Sequence, residues 1–199
     1  TKKYVDESGI RVRRANEDDA KAVAVRLFDP DTLFKLAQWR RAKHYIKTPL
    51  KGPYVVAVHI VKGGTGKTTT AAEIALHLQL AGMKVLAIDL DVQSNLTQYM
   101  GYEADLELKD AEAFNLTSEA VVGKTFAHVV CPYVGRGTTD SVGELIKKPF
   151  GEHGPHLIPS DANLGDMEYA VSASKGAREL LLRKLLAEAA QGKIPGFDI

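Results

Sequence analysis

The residues from His59 to Ala71 read HIVKGGTGKTTTA, with two lysines and three glycines in six positions. Glycines at 63, 64 and 66 clear side chains from the backbone, so peptide N–H groups can converge on an anion. A helix that begins near Lys67 adds the partial positive charge of its N-terminus. Gly66-Lys67-Thr68 fills the end of the phosphate-loop pattern G-x-x-x-x-G-K-[ST]. In that pattern the lysine reaches β- and γ-phosphates and the hydroxyl ligates Mg²⁺. The first glycine of the pattern falls on position 61, which is Val61, and a second lysine, Lys62, precedes the glycine pair. A second group of chemical interest is DLDVQSN, Asp89 to Asn95. Two carboxylates at the carboxyl end of a strand, beside such a loop, are suitably placed for Mg²⁺ and water.

These groups need a scaffold. Tyr54–Ile60 is a continuous apolar run of strand length and is expected to be a buried parallel strand. A helix is expected from about Lys67 to Ala81, ended by Gly82. Lys84–Leu90, KVLAIDL, is expected to be a second buried strand, which completes a βαβ unit. His156–Ser160 reads as a further strand. Helices are expected near Ser118–Val129, Ser141–Lys147 and Arg178–Ala190, the last with Leu181, Leu182, Leu185 and Leu186 on one side. Ahead of this body, residues 1–13 lack periodicity and read as a loose arm. Glu17–Phe28 reads as a helix. Asp29-Pro30 reads as an N-cap and first helical position, opening a helix to about Tyr45. Leu33, Phe34, Leu36 and Ala37 form its expected apolar side, and Arg40, Arg41 and Lys43 its basic end. Thr48–Pro53, with two prolines and a glycine, reads as a linker. The expected domains are a basic, mostly helical extension over 1–52 and an α/β nucleotide-binding domain over 53–199.

The chain has 199 residues, 45% apolar and 26% charged, ordinary for one globular domain. Its single cysteine, Cys131, excludes a disulfide framework and a C-x-x-C metal site within the chain. No apolar run is long enough to span a membrane, and the first residues do not resemble a signal peptide. The net charge of +1 hides an asymmetry. Residues 1–52 carry 13 Lys/Arg against 7 Asp/Glu, and residues 53–199 carry 13 against 18. Between Asp31 and Glu73 there is no acid, and Lys35 to Lys51 holds six basic residues. Contacts between such a stretch and DNA would be sequence-independent and salt-sensitive.

KGGTGKT, Lys62 to Thr68, matches the deviant Walker A motif K-G-G-x-G-K-[ST] at every position and resembles that of the ParA/MinD family of dimerising ATPases. DLDVQSN is similar to the family's D-x-D-P-Q-x-N segment, with Val92 in place of proline. The resemblance covers roughly residues 53–199. It implies a P-loop-type three-layer fold with a mainly parallel sheet, and ATP/ADP and Mg²⁺ as cofactors. Lys62, Gly63, Gly64, Thr65, Gly66, Lys67, Thr68 and Thr69 would bind the nucleotide, and Thr68 and Asp89 would serve the metal, Asp89 through its waters. Lys62 would cross a dimer interface to the partner's nucleotide, Lys67 would hold the subunit's own phosphates, and Asp91 would orient the attacking water. The best match is a ParA-type partition ATPase, cytoplasmic and nucleoid-associated. Its implied partners are a second copy, non-specific DNA and a ParB-type centromere-binding protein, with no membrane. An ATP-responsive repressor that reads its operator through residues 1–52, and a MinD-like membrane-associated ATPase, are the alternatives. Phe197-Asp198-Ile199 resembles the opening of the family's Walker B strand. Its aspartate lies further on, so Asp198 is not that residue, and the chain reads as part of a longer protein.

Overall fold

A computed structural model describes residues 2–15, 25–47, 53–130, 142–173, 187 and 196–198. All but residue 187 of the expected helix over 178–190, most of the 48–53 linker and Cys131 lie outside the described residues.

The centre of the fold is a parallel pair, β3 (Leu86–Ile88) and β4 (His156–Ile158), in the register Leu86↔His156, Ala87↔Leu157, Ile88↔Ile158. Successive side chains of a strand point to opposite faces, and this sorts the core. Ala87 and Leu157 face one side, where they meet Ala71 and Ala72 of α3 (Lys67–Leu80) and Leu96 of α4 (Asn95–Tyr99). Leu86, Ile88 and Ile158 face the other side. There they meet α5 (Phe126–Val130), α6 (Val142–Leu145) and α7 (Asn163–Ala173) through Phe126, Val129, Val142, Leu145, Leu164 and Met167. Helices therefore cover both faces of the sheet, the arrangement a parallel sheet requires. Alanines at 71, 72 and 75 keep α3 thin on its inner side and let it lie close to Ala87 and Val85.

Several expectations change. Tyr54–Ile60 runs without strand pairing; Val55 and Val56 are more than half exposed and Ile60 nearly half. A strand forms through a ladder, and here Tyr54 alone bonds, its N–H donating to the Asp198 carbonyl at 2.8 Å. Asp198 N–H donates in turn to the Lys84 carbonyl at 2.8 Å. Residues 196–198 thus lie between the start of the 54–60 run and the start of β3. The second apolar run is paired only over Leu86–Ile88, half-buried rather than buried, and Leu90 is exposed. Ser118–Val129 is not one helix. A 3₁₀ turn at Ser118–Ala120 leads through extended backbone at Val121 to α5. Thr125 opens α5 from a loop, where its N–H donates to His128 Nδ1.

The N-terminal extension is more ordered than its pattern suggests. Residues 2–8 form α1 (Lys2–Ser8), with Val5 buried. β1 (Arg13–Arg14) pairs antiparallel with β2 (Arg26–Leu27), so the end of the expected Glu17–Phe28 helix is a strand, while 16–24 lie outside the described residues. α2 (Pro30–Ala42) starts as expected: the Asp29 carboxylate accepts from Thr32 N–H at 2.8 Å, and Pro30 opens the first turn. It stops three residues earlier than expected, at the Lys43 cap and the left-handed His44. Phe34, Leu36 and Ala37 are buried, whereas Leu33 faces outward.

α2 does not stand apart from the body. Phe34 meets the edge of Phe150. Gly82 (φ 85°) lies so near that a Cβ there would sit 2.6 Å from the Ala37 carbonyl oxygen, so only glycine both ends α3 and admits α2. Asp31 accepts from His153 N–H at 2.7 Å, and Gln38 donates to the His153 carbonyl. Arg41 forks onto both carboxylate oxygens of Asp198. The extension and the body are joined by apolar packing and by ion pairs.

Candidate functional site

The glycine loop spans the gap between the unpaired 54–60 run and α3. Gly66 is the N-cap of α3 in the left-handed conformation (φ 78°), and no side chain caps the helix. The first N–H groups of α3 are therefore open to an anion. A Cβ added at Gly63, Gly64 or Gly66 would meet nothing within 4 Å. The loop is thus not packed shut, and its glycines serve backbone conformation and approach rather than fit against a neighbour. Thr65 closes the turn, its hydroxyl donating to the Lys62 carbonyl at 3.1 Å. Lys62, Gly63, Gly64, Thr65, Gly66 and Thr69 are exposed, and Lys67 and Thr68 are half-buried.

The second group comes from the end of β3. Lys67 Nζ lies 3.8 Å from Asp91 Oδ2, with each side chain about a third exposed. This contact brings the loop lysine and the predicted water-orienting carboxylate together from two elements. Asp91 is held by the turn that follows β3. Its N–H donates to Asp89 Oδ1, and its own Oδ1 accepts from Gln93 N–H, each at 3.1 Å.

Asp89 is in a different environment. It is 3% exposed. Its Oδ2 accepts from the N–H and the hydroxyl of Thr97, at 2.9 and 2.8 Å. The Thr97 oxygen in turn accepts from Ser160 N–H at 3.0 Å. Asp89 therefore ties the end of β3 to α4 and to the loop after β4, with its carboxylate turned toward protein partners. Thr97 is the site-supporting residue that the sequence did not reveal. It lies eight positions from Asp89 in an ordinary-looking helix, and only the fold makes them neighbours. Gln79 was missed in the same way: fully buried, it accepts from Val85 N–H and donates to the His153 carbonyl, fixing the entry to β3.

The residues present fit a nucleotide phosphate chain with Mg²⁺. The helix N-terminus is uncapped, the glycine loop is open, Lys67 at the start of α3 meets the Asp91 carboxylate at 3.8 Å, and Thr68 follows that lysine in the chain. The donors are hard oxygens, as Mg²⁺ requires. Among the described residues, no cluster of three or more His, Cys, Asp or Glu forms a metal site, here or elsewhere.

Comparison with known proteins agrees with this geometry. The family model described as an AAA domain matches residues 54–192. A protein named as a candidate replication protein A in Sinorhizobium fredii (strain NBRC 101917 / NGR234) is 42% identical over 132 residues, covering 64% of this chain and 28% of the relative. The chromosome-partitioning ATPase Soj of Thermus thermophilus is 46% identical over 50 residues, covering 25% of this chain and 20% of the relative. This chain therefore spans well under half of those relatives. Among solved structures, cobyrinic acid a,c-diamide synthase from Mycobacterium smegmatis with bound ADP and magnesium superposes with a TM-score of 0.55 at 26% identity. The match covers 73% of this chain and 48% of that one. With its glycine loop, its second lysine and its strand-end carboxylates on a matching α/β scaffold, the chain belongs to the AAA-domain family and, within it, to the ParA/MinD group of P-loop proteins.

Proposed function

We propose that the chain carries the nucleotide-binding part of a ParA-type ATPase for plasmid or chromosome partition. The observation that carries the reading is the Lys67–Asp91 juxtaposition at the mouth of an open glycine loop. Lys67, the N–H groups of 63–69 and the Thr68 hydroxyl hold the phosphates and Mg²⁺ of ATP or ADP. Asp91, half-exposed and steered by Asp89 and Gln93, orients a water for in-line attack, where positioning and charge neutralisation supply the catalysis. Bound Mg²⁺ supplies charge neutralisation at the phosphates. Asp89 supports that metal through its waters and also fixes the turn that carries Asp91. Lys62, exposed immediately before the glycine pair, contacts the nucleotide of a second copy in an ATP-dependent dimer. The dimer binds DNA without sequence preference, a ParB-type protein stimulates hydrolysis, and the protein works in the cytoplasm on the nucleoid. That the Soj relative is a chromosome-partitioning ATPase supports this reading.

The repressor alternative has less support. A helix that reads an operator needs free side chains along one face. In α2, Arg41 is engaged with Asp198 and Arg40 lies over the Tyr4 ring, 5.0 Å from its centroid.

The test is nucleotide binding by Lys67→Ala. Loss of a charge-assisted phosphate contact should abolish Mg²⁺-ATP binding or weaken it strongly in a fluorescent-nucleotide titration. Near-normal affinity would sink the proposal.

A further inference from the structure

A cleft of about 830 Å³ separates α2 from the turn after α3. One wall comes from α2 and its exit, with Lys35, Trp39 and Lys47; the other comes from the body, with Lys84 and His153. Among the described residues Asp198 is the only acid in the lining, and Arg41 neutralises it. The guanidinium beside Asp198 holds that carboxyl below its usual range. His153 is already turned onto Asp31. Lys35, Lys47 and Lys84 form no salt bridge among the described residues and are exposed. The cleft is therefore net cationic, and its cations come from two parts of the chain that the docking of α2 brings together.

The placement of the cations decides the class of ligand. Lys35 stands in the second turn of α2, Lys47 on the segment beyond its end and Lys84 on the body just before β3. Exposed cations on three separate segments suit a row of phosphates better than one phosphate chain, which needs donors converging on a point, as the glycine loop provides. Trp39 and Ile46 add apolar surface between the lysines, which suits the sugars of a backbone.

We propose that this cleft seats the phosphodiester backbone of DNA, with Lys35 and Lys47 gripping it from the extension and Lys84 from the body. The inference rests on the DNA-binding reading above and gives it a location. It also moves the contact away from Arg40 and Arg41, whose side chains the fold already uses.

The experiment is fluorescence anisotropy of the chain with labelled duplexes of several scrambled sequences across a salt series. The variants are Lys35→Ala, Lys47→Ala, Lys84→Ala and the triple combination. Lys109→Ala, a surface lysine paired with Glu107, is the control. Each phosphate contact contributes roughly 0.9 to the slope of log K against log salt. The triple variant should lose roughly 2–3 from that slope, and on the order of 10²-fold or more in affinity at 0.1 M salt, equally on every duplex. Its ATP binding should be unchanged. Wild-type binding with no change in the triple variant would overturn the cleft and leave the DNA reading standing. A loss confined to one sequence, or a loss of ATP binding with the cleft lysines, would also overturn it. No binding of any duplex by a wild-type chain that still binds ATP would overturn both the cleft and the DNA reading.

Discussion

Replacing Thr97 by valine tests whether the Asp89–Thr97–Ser160 linkage holds the end of β3 to α4 and to the loop after β4. Valine has nearly the shape of threonine, so the exchange leaves no cavity and changes only the hydroxyl. That hydroxyl donates to the Asp89 carboxylate at 2.8 Å and accepts from Ser160 N–H at 3.0 Å, with Thr97 fully buried. A hydrogen bond to a carboxylate contributes about 1.5–3 kcal/mol, and a buried N–H left without a partner costs about 1–3 kcal/mol. The expected loss is therefore about 3–5 kcal/mol, a large part of the ~5–15 kcal/mol that holds a domain folded. At roughly 2–4 °C per kcal/mol for a chain of this size, the midpoint should fall by roughly 6–20 °C. Urea unfolding followed by circular dichroism reads the same loss as a lower midpoint with an unchanged slope. Thr97→Ser keeps the hydroxyl and should recover most of it. A Thr97→Val chain within about 1 kcal/mol of the parent would refute the reasoning, because it would mean that Asp89 and Ser160 find other partners.

Lys62→Ala should still bind ATP but fail to sediment as an ATP-dependent dimer; a dimer that persisted would remove the proposed cross-interface role of this lysine. Asp91→Ala should bind ATP and dimerise yet release phosphate about 10²–10⁴ more slowly, the range for losing a group that handles the reacting water, and unchanged turnover would exclude it from the reaction. His156 is buried with Nδ1 unpartnered, and burial pushes its pKa below the ordinary 6.5. The folded state therefore resists the proton that the unfolded chain accepts, so stability should be full above about pH 6.5 and fall as the pH drops below that value. His156→Gln, which cannot titrate, should flatten that part of a stability–pH curve, and a curve unchanged by the substitution would assign the slope to other groups.

Much of the site was legible in the chain because it is built locally. The glycine loop, Lys67, Thr68 and the first turn of α3 are consecutive residues, and their geometry follows from glycine's tolerance of positive φ and from the uncapped helix start. The Asp29-Pro30 helix start and the Gly82 stop were legible for the same reason, since caps act over one turn. β3 and β4 were found as apolar runs, but a run does not state its partner, and the apolar run at 54–60 gained no ladder beyond Tyr54. Pairing is a property of two segments, so hydrophobicity alone could not separate the buried run from the exposed one. Tertiary structure alone decided the rest. It placed Thr97 against Asp89 and Gln79 against His153, and it turned Arg41 from a DNA-facing cation into the partner of Asp198, 157 positions away. A buried carboxylate or amide is stable only where the fold supplies donors and acceptors, and those come from residues that sequence spacing does not relate. The sequence by itself determined what the loop can bind; which side chains are left free to act around it was decided by what each one met when the chain folded.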